Sequence, residues 1–254
     1  MFSLKNKTTV ITGGGSGIGR ATSILFGKQG AIVCVVDINQ DQVEETTRLI
    51  KGDGGKAYGY MCDVTVQADV INLYKKIGTI DILINSAGIS HIGKADTTTE
   101  EEFDQVFKVN VKGVYNSLHA ALGIMKQQCA GIILNLSSVA AVVGLADRFS
   151  YSMSKGAVYA MTMSVAKDYI GYNIRCNCVS PGRVHTPFVD NFLSKNYPGK
   201  EEEMFEKLSK TQPIGRMATP KEIGYLILYL CSDEASFITG SDYNIDGGFI
   251  KLNS

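Results

Sequence analysis

The chain has 254 residues, 44% of them hydrophobic, with 25 Lys and Arg balanced by 25 Asp and Glu. That is ample apolar material for one large core, although length alone leaves one α/β domain or two smaller ones open. The zero formal charge excludes the basic excess of a nucleic-acid binder and gives little electrostatic protection against self-association.

Met1 to Lys7 is short and polar, so no signal-peptide apolar region is read there. The longest apolar stretches, Ala31–Val36 and Tyr225–Cys231, are too short to span a bilayer, and a cytoplasmic protein without a membrane partner is expected. Thr8–Thr12 is the first predicted strand. It runs into Thr12-Gly13-Gly14-Gly15-Ser16-Gly17-Ile18-Gly19-Arg20, and a helix is predicted over Ile18–Gln29. Glycines here permit a tight turn and close backbone approach to a pyrophosphate, while the helix start offers free N–H groups and its positive dipole end. With a strand before it and a helix after it, this turn has the context of a dinucleotide site. The second strand, Ile32–Asp37, ends on a carboxylate that can accept from adenosine ribose hydroxyls and would repel a 2′-phosphate. No arginine follows Asp37, and Ser16 puts no cation in the turn, so NAD is expected over NADP. The other reading has Asp37 merely cap the next helix.

That helix is predicted at Asp41–Lys51, followed by strand Ala57–Cys62, helix Gln67–Lys76, strand Ile80–Asn85 and one long helix at Thr99–Gln127. Strand Gly131–Ser137, helix Arg148–Tyr169 and strand Ile174–Val179 come next. Thr219-Pro220, an N-cap followed by proline at the first helical position, opens a helix to Ser232, and Tyr243–Ile245 is the last strand. Several strands are apolar on both faces, as strands of a covered parallel sheet must be. The order predicts an α/β single domain with a doubly wound parallel sheet and helices on both faces. The rhythm breaks at Thr186–Thr211, which holds Pro187, Pro198, Gly199 and the charged run Lys200–Glu203. Because it leaves the carboxyl end of a strand, it reads as a substrate lid at about 187–212, the alternative being a solvated surface excursion.

The six cysteines are scattered apart from Cys176 and Cys178, which read as buried thiols, and the three histidines match no metal-ligand spacing, so no metal is expected. Tyr151 and Lys155, four apart, share a helix face. A bare Tyr-x-x-x-Lys pair usually marks a half-exposed helix. Here it follows a glycine turn, an acidic strand end and Ser138 closing the fifth strand, and the ordered set gives it chemical meaning.

With those residues in order, the sequence resembles the short-chain dehydrogenase/reductase family over nearly its full length. The matches are Thr12-Gly13-x-x-x-Gly17-Ile18-Gly19, Asp63, Asn85-x-Ala87-Gly88, Asn110, Ser138, Tyr151-x-x-x-Lys155, Pro181-Gly182 and Asp246-Gly247-Gly248. Ser86 departs from the asparagine of many members, which bears on the cofactor loop more than on the chemistry. The resemblance implies a Rossmann-type fold and a nicotinamide-dependent oxidoreductase acting on CH–OH groups. It implies that Tyr151 is the general acid/base, its phenol lowered from an ordinary pKa near 10 by the Lys155 ammonium and the nicotinamide charge. Ser138 would hydrogen-bond the substrate oxygen, Lys155 would also hold the nicotinamide ribose, and Asn110 would link Lys155 to solvent through water. Hydride would pass directly between nicotinamide C4 and the substrate carbon. Asp63 and Val64 would contact adenine, Asn85, Ala87 and Gly88 would line the adenosine side, and Pro181, Gly182 and Thr186 would complete the cofactor contacts. Thr186 would sit at the carboxamide or pyrophosphate. A homotetramer is also implied, with Thr99–Gln127 and Arg148–Tyr169 forming one interface and the C-terminal strand region another.

Substrate choice rests on fewer residues. Arg148 lies about one turn before Tyr151 and could face the same cleft, and Arg216 follows the predicted lid, so the two could clamp a carboxylate. The stretch Arg148–Lys155, with Ile174 to Gly182, resembles members acting on small hydroxy acids such as 3-hydroxybutyrate or deoxy sugar acids. His91 matches a position near the substrate in that subgroup. The alternatives are an exposed helix start for Arg148, a surface ion pair for Arg216 and an ordinary loop histidine for His91. A 3-oxoacyl-carrier-protein reductase, a sugar dehydrogenase and a non-catalytic dinucleotide sensor are the other readings. Asp37 argues against the first, which usually prefers NADPH; the sensor would be expected to lose Tyr151, Lys155 or Ser138.

Overall fold

Seven parallel strands form one sheet in the order β3-β2-β1-β4-β5-β6-β7 in a computed structural model of the chain. Residues 1–252 are described. Asn253 and Ser254, which the single-domain reading includes, lie outside the described residues, as do the side chains of Phe188 and Asn196 in the predicted lid. The strands are β1 (Thr8–Thr12), β2 (Ile32–Asp37), β3 (Lys56–Met61), β4 (Ile82–Asn85), β5 (Gly131–Leu136), β6 (Ile174–Pro181) and β7 (Asp242–Ile245). The crossovers carry helices α1 (Gly17–Lys28), α2 (Gln40–Gly52), α3 (Gln67–Ile77), α4 (Glu100–Val106), α5 (Gly113–Gln128) and α6 (Phe149–Tyr169). After β6 come α7 (Pro187–Asn196), α8 (Glu201–Ser209) and α9 (Pro220–Cys231).

The continuous apolar runs feed two separate cores. Val33, Val35, Ile82 and Ile84 face one layer with Phe26, Ile223 and Ile227, whereas Cys34, Val36, Leu83 and Ile133 face the other with Tyr74, Leu118 and Val158. Successive strand residues point to opposite faces, so a strand covered by helices on both sides has no polar alternation to show.

Three local expectations are corrected. Residue pair 80–81 is not strand: Ile80 N–H donates to Gln128 Oε1 at 3.1 Å and its carbonyl accepts from Gln128 Nε2 at 3.0 Å, a side chain replacing the ladder. The expected single helix at Thr99–Gln127 is interrupted by a π-helical segment, Phe107–Lys112. The excursion after β6, where no helix is predicted, carries two helices. Pro187 sits in the first turn of α7, and Glu201, Glu202 and Glu203 of the charged run form the first turn of α8, complementing its dipole. Pro198 and Gly199 fall between them and hide both short helices from a periodicity reading.

Candidate active site

The strand order reverses between β1 and β4, and open α/β sheets leave a crevice at the carboxyl ends of such strands. A cleft of about 750 Å³ lies there. On one side it is lined by Gly13, Ser16, Gly17, Ile18 and Asp37 from the ends of β1 and β2. Asp63 and Val64 follow from the turn after β3, and Ala87 and Gly88 from the loop after β4. The other side is lined by Ser138, Arg148, Tyr151, Lys155, Pro181, Gly182 and Thr186.

The glycine turn is built for a close approach. Gly13 and Gly17 have φ of +65° and +51°, in the left-handed region that favours glycine. A Cβ on Gly13 would meet the Ala87 backbone at 2.8 Å, and one on Gly19 would overlap the Gly13 carbonyl. Gly19 therefore lies outside the cleft and works by letting α1 pack onto the turn. Gly19→Ala is expected to destabilise the fold by about 3 kcal/mol or more, because backbone rather than a flexible side chain must move; chemical denaturation checks this. The Asp37 carboxylate accepts from Gly15 N at 3.0 Å and Asn39 N at 3.2 Å. Asn39, not Asp37, caps α2, its side chain accepting from Gln42 N. Asp37 thus faces the cleft with a fixed carboxylate.

At the other side, β5 ends in Ser137 and Ser138. Ser137 Oγ donates to the Lys155 carbonyl at 3.2 Å, holding α6 to the strand end, and Ser138 Oγ accepts from Ala140 N at 3.1 Å. Tyr151 and Lys155 lie on one face of α6, the Lys155 ammonium 5.8 Å from the Tyr151 ring centroid. Lys155 is buried and donates to the Leu136 carbonyl at 2.6 Å. Burial pulls its pKa down to about 8. Burial pushes the Tyr151 phenol above its usual value, opposed by Ser138 and by the charge of Arg148. Arg148 is thus a second cation, beside Lys155, that favours the phenolate.

Asn110 and Asn85 do not line the cleft; both are buried supports. Asn110 Oδ1 accepts from Ile89 N at 2.8 Å, and Nδ2 donates to the Ile89 carbonyl at 2.8 Å and to Ser154 Oγ at 3.0 Å. Ser154 Oγ in turn donates to the Tyr151 carbonyl at 2.7 Å. The π-helical segment carrying Asn110 therefore ties the loop after β4 to α6 beside Tyr151, a recurrent use of such segments. Asn85 Nδ2 donates to Asn135 Oδ1 at 2.8 Å, joining β4 to β5.

The substrate candidates divide. Arg148 lines the cleft, its guanidinium 5.8 Å over the Phe192 ring of α7. His91 does not line it: its ring bridges Ser150 Oγ at 3.1 Å and Glu102 at 3.2 Å, linking the starts of α6 and α4. Arg216 is also outside the cleft and grips Glu222 through two nitrogens, at 2.9 and 2.7 Å. The clamp expected from Arg148 and Arg216 is thus not assembled, because the N3 glutamate of α9 is the nearer partner for Arg216. Sequence reasoning missed Arg183, which lines the cleft directly after Pro181-Gly182. Its only signal was that adjacency.

A doubly wound sheet with a glycine turn at its switch point, and a serine, tyrosine and lysine facing it, defines a dinucleotide-binding oxidoreductase architecture. Residues 13–250 match the family model described as Enoyl-(Acyl carrier protein) reductase. The chain is 39% identical over 250 residues to Dehydrogenase/reductase SDR family member 6 of Xenopus laevis, covering 98% of this chain and 99% of that one. It is 38% identical over 251 residues to the 3-oxoacyl-(acyl-carrier-protein) reductase FabG of Thermotoga maritima, covering 97% and 99%. A crystal structure of a short-chain dehydrogenase/reductase from Burkholderia xenovorans superposes with a TM-score of 0.94 at 30% identity, covering 99% of both chains. The chain belongs to the short-chain dehydrogenase/reductase family and is an oxidoreductase. No helix among the described residues is long and apolar enough to cross a membrane.

Proposed function

We propose that the protein is an NAD(H)-dependent oxidoreductase interconverting a secondary alcohol and a ketone on a small hydroxy acid or sugar acid. The observation that carries the reaction is Ser138, Tyr151 and Lys155 lining one cleft. The glycine turn, in which backbone closes the Cβ positions of Gly13, Gly14 and Gly19, and the Asp37 carboxylate fit a dinucleotide whose nicotinamide, when bound, supplies or accepts the hydride. Ser138 holds the substrate oxygen, and Tyr151 gives it or takes from it the proton. Lys155, with a pKa near 8 at the bottom of the site, carries a proton that can be exchanged near neutral pH. Asn110 acts as a positioning residue through Ser154 and Ile89. The excursion carrying α7 and α8 serves as the lid: its base is pinned where His185 N donates to the Ala218 carbonyl at 2.8 Å, and Phe192 of α7 faces the cleft.

NAD preference rests on Asp37. Asp37→Asn keeps an acceptor for Gly15 N but removes the charge that repels a 2′-phosphate. The ratio of kcat/KM for NADP over NAD is expected to rise about tenfold, equivalent to ~1.4 kcal/mol. A wild-type enzyme preferring NADP would overturn the assignment.

The acid substrate rests on Arg148, half-buried beside Tyr151. The experiment is a panel of hydroxy acids and sugar acids, each with its methyl ester, followed by NADH formation. Acids turned over well above their esters support the reading; equal rates for the pairs, or turnover confined to 3-oxoacyl thioesters with NADPH, would sink it. Self-association as a homotetramer is supported by exposed Phe107, Tyr115, Phe149 and Tyr159 on the α4–α6 segments, and light scattering tests it. The setting read for this chemistry is cytoplasmic.

A further inference from the structure

Arg148 and Arg183 approach the cleft from separate elements, the turn before α6 and the loop after β6. Both are half-buried. Neither belongs to an ion pair among the described residues, in contrast to Arg216 with Glu222. Arg148 makes one long hydrogen bond, 3.5 Å to the His91 carbonyl, and Arg183 uses Nε on Thr211 Oγ1 at 2.9 Å. Terminal N–H donors of both guanidiniums are left unused among the described residues, although each group offers five. Their charges act on one another: Arg183 is held below its usual value first by burial and then by Arg148. Two like charges drawn half out of water, with idle donors, cost free energy that an anion between them would offset.

We infer that Arg148 and Arg183 form a two-armed oxyanion subsite that holds the acid group of the substrate, with its hydroxyl-bearing carbon reaching Tyr151. The inference rests on the hydroxy-acid reading above and deepens it, by naming a second arm that the sequence motifs do not mark. The chemistry recognised is a carboxylate, each arm donating to one of its oxygens. Both arms also touch the lid. Phe192 of α7 lies under Arg148, and Thr211, just past α8, accepts from Arg183, so an anion drawing on both arms also steadies both ends of the lid.

The probe is malonate, titrated calorimetrically into the full-length protein saturated with NAD, with uncharged malonamide as control. Malonate is expected to bind and malonamide not to. Arg148→Gln and Arg183→Gln are each expected to weaken malonate binding about tenfold or more, with NAD affinity kept and the melting temperature not lowered. Arg183→Lys keeps the charge without the planar fork and is expected to fall between wild type and Arg183→Gln. In turnover of an active hydroxy acid, Arg183→Gln is expected to raise KM for the acid while leaving KM for its ester unchanged. Wild-type malonate affinity in Arg183→Gln alongside a loss in Arg148→Gln would overturn the second arm while leaving the hydroxy-acid reading intact. Malonate and malonamide binding alike to the wild type would overturn the subsite outright. Failure of the acid panel with malonate binding still dependent on both arginines would instead fault the reaction reading.

Discussion

Tyr151→Phe is expected to lower turnover by about 10³-fold, within the range of ~10²–10⁴ that a positioned acid or base supplies. The substitution removes one oxygen from a ring whose place in α6 is held by other contacts. Ser154 Oγ bonds to the carbonyl of residue 151, and Asn110 holds Ser154. The fold and the affinity for the nicotinamide cofactor should therefore survive, and the loss should appear in kcat. Burial keeps the phenol above its usual value, so the alcohol-oxidising direction, which needs the phenolate, should speed up as pH rises, and ketone reduction should slow. Steady-state kinetics in both directions check this; a phenylalanine variant with turnover near wild type would remove Tyr151 from the chemistry.

Lys155→Met is expected to abolish most turnover and yet to stabilise the protein at neutral pH. The lysine's pKa falls from 10.5 to about 8 on folding, with burial as the cause. A group depressed in this way makes the folded state the poorer proton binder. Its cost is fully present below pH 8 and is relieved as pH climbs from 8 to 10.5. The full cost is on the order of 3 kcal/mol, partly offset by the bond to the Leu136 carbonyl, which methionine forfeits at about 1 kcal/mol. The net gain at pH 7 is about 2 kcal/mol, a rise in melting temperature of roughly 4–8 °C for a chain of this size. Melting curves at pH 7 and pH 10 test the sign, since the advantage should be present at the first and largely gone at the second. Equal melting temperatures at pH 7 would mean that Lys155 is held without strain.

Much of the architecture was legible because parallel strands covered on both faces write themselves as short apolar runs. β1 and β2 fall where the pattern places them. Other boundaries moved where a non-local partner intervened, as Gln128 does at Ile80. The π-helical segment at Phe107–Lys112 has no periodicity of its own, since it exists to carry Asn110 to Ile89, 21 residues away. Helices α7 and α8 were illegible for a different reason: each is short, and Pro198-Gly199 between them reads as loop.

The sequence by itself determined the glycine turn, the carboxylate ending β2 and the one-turn spacing of Tyr151 and Lys155. All three depend on local geometry, on φ freedom, strand ends and helical pitch, which neighbouring residues dictate. Only the tertiary structure decided which arginines face the cleft. Arg216 and Arg183 both flank the α7–α8 excursion in sequence, but Glu222 takes up the first. The second is left beside Arg148, because β6 ends and α6 begins at the same edge of the sheet, and that neighbourhood is a matter of topology rather than spacing along the chain.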